Sequence, residues 1–361
     1  MVVEPIAAGQ CNMNKTDKIY IAGHRGLVGS AIVRLLESKG FDNIITRSHG
    51  ELDLTRQEQV EAFFESEKPA YVFLAAARVG GIGANSEFPA RFIYDNLAIA
   101  LNIIHSAKEF GTVKLINLGS SCVYPKLAPQ PLKEEYLLSG LLEPTNEAYA
   151  VAKIAAIKMC RHYNTQYGTD FISLMPTNLY GPNDNFDLAG SHVLAALIRK
   201  FHLARLLSLN DLSGIRRDFC RCSKGSAYNS RPDQELISEL SSQGIFSDRV
   251  VLWGTGAPFR EFLHVDDLAA ACLFLMEFAE NSSIGEIINV GVGKDITIGD
   301  LAELIRIIVG FEGQIDFDAS RPDGTPRKLL DVSQILKLGW KPRIALKQGL
   351  AATYSWYCRS C

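Results

Sequence analysis

Five short, largely apolar runs mark the first half of this 361-residue chain, at residues 18–22, 41–46, 71–75, 113–118 and 171–175. Between them lie stretches with helical spacing. Ile32, Val33, Leu35 and Leu36 form one; Val60, Phe63 and Phe64 within residues 57–67 form another; residues 95–110 and 149–167 supply two more. A strand that is apolar along its whole length must be covered on both faces, and the helical stretch after each strand supplies the cover. The alternation therefore predicts an α/β fold, a doubly wound parallel sheet. After Tyr180-Gly181-Pro182 the alternation weakens, and residues 183–259 read as irregular and more polar. A helix is expected over residues 264–278, a strand over 286–290 and a helix over 298–309, followed by a polar C-terminal segment.

The turn after the first strand narrows the reading. It runs Gly23-His24-Arg25-Gly26-Leu27-Val28-Gly29 and opens the first helix. Glycines between a strand and a helix let the backbone approach a pyrophosphate, which sits at the positive helix N-terminus. The architecture is thus Rossmann-type, and the ligand expected there is a dinucleotide. An NAD site calls for an acidic residue at the end of the second strand, to hold the ribose 2′-OH. This chain has Thr46-Arg47-Ser48-His49 there and Arg25 inside the turn. Cations at that place suit a 2′-phosphate, so NADP is favoured, unless both arginines are only solvated surface.

On this reading residues 18–182 and 260–292 form an NADP-binding domain, and residues 183–259 and 293–361 a smaller mixed α/β domain for the substrate. Residues 1–17 read as a flexible tail. They lack a basic stretch ahead of an apolar core, so no signal peptide is expected. Residues 205–249 show almost no periodicity over their first thirty positions and are expected to be a disordered surface insertion. A net charge of −3 gives no case for a nucleic-acid partner, and no apolar run is long enough to span a bilayer. Eight cysteines scattered through a chain this long suggest free thiols in a reducing, cytoplasmic setting. No metal site is expected, since no second Cys/His pair stands at ligand spacing.

Tyr149 and Lys153 stand four apart on an Ala-rich helix and share one face. By themselves they could be a half-buried Tyr with a Lys snorkelling beside it. The fourth strand, however, ends in Leu118-Gly119-Ser120-Ser121-Cys122, and ligands of such sheets bind beyond the carboxyl ends of the strands. A lysine ammonium can lower the pKa of a neighbouring phenol. The phenol can then protonate an oxygen that gains charge during hydride transfer, while a serine orients that oxygen. Taken alone, Cys122 reads as a small buried hydrophobe, and His192 as a surface or capping histidine.

These segments together resemble the extended short-chain dehydrogenase/reductases, and within them the GDP-L-fucose synthase family. The matching stretches are GHRGLVGSAI, AAARVGGI, LGSSCVYPK, EPTNEAYAVAKIAAIK, MPTNLYGPNDNF, SHVLAALIRKFH, VLWGTGAPFREFLHVDDLA and RPDGTPRKLLD, within residues 18–204 and 250–357. The resemblance implies an NADPH-dependent 3,5-epimerase and 4-reductase that turns GDP-4-dehydro-6-deoxy-D-mannose into GDP-L-fucose, working as a homodimer. It implies Ser120, Tyr149 and Lys153 as the reductase triad, and Cys122 with His192 as the acid/base pair for epimerisation. It maps further cofactor contacts to Leu118, Gly119, Ser120, Ser121, Lys153, Pro176, Thr177, Asn178, Leu179 and His192. Substrate contacts map to Lys200, Trp253, Arg260 and Asp323. Two departures stand out. The chain reads Asn185-Phe186-Asp187-Leu188-Ala189-Gly190-Ser191-His192 where the family pattern has a His and a Pro ahead of the position of Gly190, and residues 205–249 replace a much shorter link. The rival readings are another nucleotide-sugar epimerase or reductase of the same superfamily, or a binding-only paralogue disabled by the insertion.

Overall fold

The structure, a computed structural model, describes residues 13–188, 190–222, 228, 230–321 and 323–360. The first half runs β1 (Ile19–Ala22), α1 (Leu27–Ser38), β2 (Ile44–Ile45), α2 (Gln57–Glu67), β3 (Tyr71–Leu74), α3 (Ile82–Glu87), α4 (Pro89–Glu109), β4 (Lys114–Leu118), α5 (Glu147–Tyr167), β5 (Asp170–Pro176) and β6 (Asn178–Tyr180). It continues with α6 (Val193–Ser208), α7 (Leu212–Cys222), α8 (Asp233–Ser242), β7 (Arg249–Trp253), β8 (Phe259–His264), α9 (Val265–Phe278), α10 (Asn281–Ile284) and β9 (Ile288–Val290). Then come β10 (Asp295–Thr297), α11 (Ile298–Val309), β11 (Gln314–Asp318), β12 (Arg327–Lys328), α12 (Ser333–Lys337) and α13 (Leu346–Ser360). Contacts divide the chain into two units. The first holds residues up to Leu179 with Glu261–Gly293 and Leu329–Arg343; the second holds Tyr180–Arg260, Lys294–Lys328 and the segment from Ile344 onward.

The first unit is built on a six-stranded parallel sheet in the order β2-β1-β3-β4-β5-β9. Side chains alternate across it, as the period of a strand requires. Ile19, Ile21, Phe73, Ile116, Ile172 and Leu174 enter a core shared with Ile32 and Leu36 of α1 and with Leu268, Cys272 and Leu275 of α9. Tyr20, Ala22, Val72, Leu74, Leu115 and Phe171 face the other way, into Val60 and Phe64 of α2, Ile103 and Ile104 of α4, and Cys160 of α5. The predicted doubly wound α/β fold is therefore what forms. The switch in strand order lies between β1 and β3, which puts a crevice at their carboxyl ends. Helix ends follow local chemistry. Gly168, in the left-handed region at φ +67°, ends α5, and Thr297 Oγ1 accepts the Asp300 N–H at the start of α11.

Four sequence expectations need correction. The second strand is only two residues long, because Phe41 is spent on the core. The tail ends earlier than residue 17: Met13 packs on the core, and the Lys15 carbonyl accepts the Asp42 N–H at 3.2 Å. Residues 1–12 of that expected tail lie outside the described residues. Leu329–Arg343 packs in the first unit, not the second, because Leu330, Val332, Ile335 and Trp340 are buried in its core.

The largest correction concerns residues 205–249. They are mainly helical, in the end of α6 and in α7 and α8, although residues 223–227 and 229 lie outside the described set. Ile215 and Phe219 of α7 and Leu236 and Leu240 of α8 are buried. Asp218 of α7 accepts from Arg199 Nε of α6 at 2.7 Å, both side chains sealed from solvent, and Tyr357 of α13 donates its hydroxyl to the same carboxylate. The Arg199 guanidinium also lies over the Phe219 ring, 5.2 Å from its centroid. Within the second unit α6 also packs on α11, and β7 pairs with β11 in parallel.

Candidate active site

The glycine turn has the geometry that only glycine permits at two positions. Gly23 sits at φ +86°, and a Cβ there would lie 2.7 Å from the Ala76 amide, just past β3. A Cβ on Gly29 would run into the Gly23 carbonyl, which already accepts the Gly26 N–H at 3.0 Å. Helix α1 starts at Gly26 with no side-chain cap and no acidic residue in its first turn. Its first N–H groups, from Leu27 onward, are left for an anion. His24 is held below its ordinary pKa by partial burial and by the Arg25 charge. The two expected cations differ. Arg47 donates to Glu67 Oε1 at 2.6 Å and to the Thr46 carbonyl at 2.9 Å, so it is committed to the protein. Arg25 is exposed and forms no ion pair among the described residues.

At the end of β4 the backbone turns through Gly119, where a Cβ would collide with the Met175 side chain. A single 3-10 turn at Ser121–Val123 packs against α5. Ser120 Oγ accepts the Cys122 N–H at 3.4 Å, which leaves its hydroxyl proton to donate elsewhere. Lys153 is buried and donates to the Leu118 carbonyl at 2.8 Å, with Nζ 5.7 Å from the centroid of the Tyr149 ring. Burial lowers the Lys153 pKa to about 8, and the neighbouring Cys122 opposes that shift. Tyr149 differs from the sequence expectation. Its burial, and then Cys122, push the phenol above its ordinary value, so it is held protonated at neutral pH. Ser120, Cys122, Tyr149 and Lys153 are thus brought together in the first unit.

Two polar clamps support this loop and its neighbour. Tyr124 donates to Asn289 Oδ1 at 2.6 Å, and Asn289 Nδ2 donates to the carbonyls of Leu132 (2.9 Å) and Asp331 (3.1 Å). In the segment Pro176–Leu179, Thr177 Oγ1 and Asn178 Nδ2 both donate to the Glu261 carbonyl, at 3.2 and 2.9 Å. Fully buried, Glu261 accepts the N–H groups of Val292, Gly293 and Leu330 at 2.5, 2.7 and 3.0 Å; burial nevertheless raises its pKa. Sequence reasoning missed Glu261, though a lone carboxylate in the apolar strand Phe259–His264 is a visible signal.

In the second unit His192 stands at the start of α6 without using its ring as a cap. Its crowded surroundings, and then the Lys328 charge, hold its pKa below the ordinary value. One helical stretch on, Lys200 donates to the Gln243 carbonyl at 2.6 Å, and burial lowers its pKa to about 8. Trp253, Arg260 and Asp323 meet around one loop. Trp253 is 69% exposed, with the Arg321 guanidinium 5.1 Å over its ring. Arg260 Nη1 donates to the Phe259 carbonyl at 2.7 Å, and a Cβ on Gly324 would lie 3.0 Å from Nη2. Asp323 is not a spare acceptor: its oxygens take the Thr255 N–H at 2.9 Å and hydroxyl at 2.7 Å. Arg321 and Asp184, whose carboxyl burial pushes up to about 7, were not singled out from sequence.

The sequence profile of the NAD dependent epimerase/dehydratase family matches residues 19–223 and 221–291. GDP-L-fucose synthase 1 of Arabidopsis thaliana is 52% identical over 347 residues, 96% of this chain and 95% of that one. GDP-L-fucose synthase of Escherichia coli (strain K12) is 50% identical over 346 residues, covering 94% and 96%. Among solved structures, a GDP-6-OMe-4-keto-L-xylo-heptose reductase from C. jejuni superposes with a TM-score of 0.91 at 42% identity, over 98% of this chain and all of that one. A GDP-L-fucose synthetase from Naegleria fowleri bound to NADP does so with a TM-score of 0.77 at 26% identity, over 99% and 97%.

Proposed function

The chain belongs to the NAD dependent epimerase/dehydratase family, and from that premise we propose that it acts as a GDP-L-fucose synthase. It converts GDP-4-dehydro-6-deoxy-D-mannose to GDP-L-fucose by epimerisation at C3 and C5 and reduction at C4. The observation that carries the reading is the grouping of half-buried Ser120 and Tyr149 with buried Cys122 and Lys153 at the carboxyl end of β4.

The cofactor is NADP(H), and the turn fits it: two glycines that exclude a Cβ, and a helix N-terminus without a cap. When bound, NADPH supplies the hydride. Residues 23–29 would hold its diphosphate, Arg25 would meet the 2′-phosphate, and Lys153 with residues 118–121 and 176–179 would line the nicotinamide end. The 4-keto group acidifies the C–H bonds at C3 and C5. Cys122 and His192 remove and return protons there, one from each face. Tyr149 and the Ser120 hydroxyl donate to the C4 oxygen and so stabilise its developing charge. In the reductive step Tyr149 gives that oxygen its proton, a role that suits a phenol kept protonated by burial. Lys200 and Arg260 neutralise the diphosphate, with Trp253 as an apolar wall. Asp323 acts by pinning Thr255 beside Trp253.

Within this reading the protein is cytoplasmic, where its free cysteines stay reduced. It pairs as a homodimer through α4 and α5, which expose Tyr94, Leu101, Val151 and Tyr167. The test is NADPH oxidation with GDP-4-keto-6-deoxy-mannose, the product identified by NMR. Formation of GDP-L-fucose is expected; NADPH binding without turnover of this sugar sinks the reading. The likeness to a GDP-6-OMe-4-keto-L-xylo-heptose reductase and a GDP-mannoheptose C4 reductase, each at 42% identity, supports a second reading, a 4-reductase for GDP-4-keto-heptoses, so such a sugar belongs in the same assay. Arg25→Ala is expected to weaken NADPH roughly 10- to 100-fold, the loss of one charge-assisted contact. It should leave NADH unchanged in a fluorescence titration; an equal loss for both would remove Arg25 from the 2′-phosphate.

A further inference from the structure

We propose that Asp187 is a positioning residue for His192, fixing the two backbone amides that lead into it. The inference rests on the functional reading above, in which His192 exchanges protons with the sugar. A base on a loop is only as well placed as the backbone that carries it, and a misplacement of about 1 Å can cost about 100-fold in rate.

The loop into His192 is held at its base and closed at its tip. At the base, Phe186 is buried, its ring 4.6 Å from that of Tyr357. Its carbonyl accepts from Arg199 Nη1 at 3.2 Å, and Arg199 lies two turns along the helix that His192 begins. At the tip, Asp187 is the centre of a short relay. Its N–H donates to Asn185 Oδ1 at 3.0 Å. Its Oδ2 accepts the Gly190 N–H at 3.0 Å, and its carbonyl accepts the Ser191 N–H at 2.9 Å. Both amides immediately ahead of His192 therefore end on one residue. A Cβ on Gly190 would come within 3.3 Å of the same Oδ2, so the turn is closed tightly over the carboxylate. The His192 ring makes no capping bond of its own, which leaves it to a substrate while its backbone is fixed from Asp187. Side-chain acceptance by Asp187 restricts the turn ahead of His192.

The test separates proton exchange from hydride transfer. Wild type, Asp187→Ala, Asp187→Asn, His192→Gln and the Asp187→Ala/His192→Gln double variant are incubated in D2O with GDP-4-keto-6-deoxy-mannose and NADP+, so that no hydride can be delivered. NMR reads deuterium entering at C3 and C5. Asp187→Ala is expected to slow exchange about 10-fold with NADP+ affinity and melting temperature unchanged. Asp187→Asn, whose side-chain oxygen can still accept the Gly190 N–H, should restore most of it. In the His192→Gln background Asp187→Ala should have no further effect. Exchange in Asp187→Ala within twofold of wild type, an equal loss in both backgrounds, or no rescue by asparagine would each overturn the proposal. No exchange by wild type at all would overturn the functional reading, and this one with it. Exchange by wild type with an unaffected Asp187→Ala overturns this one alone.

Discussion

Tyr149→Phe is expected to slow NADPH consumption roughly 10²- to 10⁴-fold, the range contributed by a positioned general acid. NADPH affinity should stay within twofold. The ring that lies 5.7 Å from Lys153 Nζ is kept, and the Lys153 bond to the Leu118 carbonyl does not depend on the hydroxyl. Only the proton for the C4 oxygen is removed. Retention of more than a tenth of the rate would exclude Tyr149 as the acid. The pH dependence has a definite sign. Burial lowers Lys153 to about 8 from its ordinary value, so the ammonium is present below about pH 8 and lost above it. The reductase rate should fall across that point. Lys153→Arg, which stays charged, should remove this descending limb even if its absolute rate is low.

The parallel sheet and the proximity of Tyr149 and Lys153 to the end of β4 were legible because they depend on local pattern. Apolar-rich runs of five or six residues, the spacing Gly23-x-x-Gly26-x-x-Gly29 and the four-residue offset of Tyr149 and Lys153 each specify a neighbourhood without knowledge of the rest of the chain. What was not legible depends on partners far away in sequence. Arg47 reads as a free cation at the end of β2, yet Glu67, twenty residues on, takes it. The acidity of Tyr149 was judged from Lys153 alone, whereas burial, and then Cys122, push the phenol up. Asp323 reads as a spare acceptor until Thr255 fills it. The helices of residues 212–222 and 233–242 were missed for a related reason. The α7 sequence LSGIRRDFCRC places Asp218 on its buried face, and a charge there breaks the apolar stripe by which a helix is recognised. That charge is tolerable only because Arg199 meets it.

Asp218→Ala should therefore be among the most damaging single changes in the second unit. Removing one partner of a buried ion pair strands the other, at a cost of about 3–5 kcal/mol, against a total stability of about 5–15 kcal/mol. Arg199 and Asp218 are both sealed from solvent, and Asp218 also takes the Tyr357 hydroxyl, so three elements lose a common centre. Urea unfolding followed by the fluorescence of the three tryptophans, Trp253 and Trp356 in the second unit and Trp340 in the first, should show the loss at a lower midpoint; a shift equivalent to less than about 1 kcal/mol would mean that water replaces the carboxylate. The paired change Arg199→Met with Asp218→Leu distinguishes stability from function. Two apolar residues of similar bulk often restore what a broken ion pair costs. They cannot restore the Arg199 bond to the Phe186 carbonyl at the base of the His192 loop. The double variant should thus recover most of its unfolding midpoint yet exchange sugar protons more slowly than wild type. Full recovery of both would leave α7 with a purely structural role. Recovery of the midpoint alone would mean that the inserted helix, through Asp218 and Arg199, helps to hold the loop on which epimerisation depends.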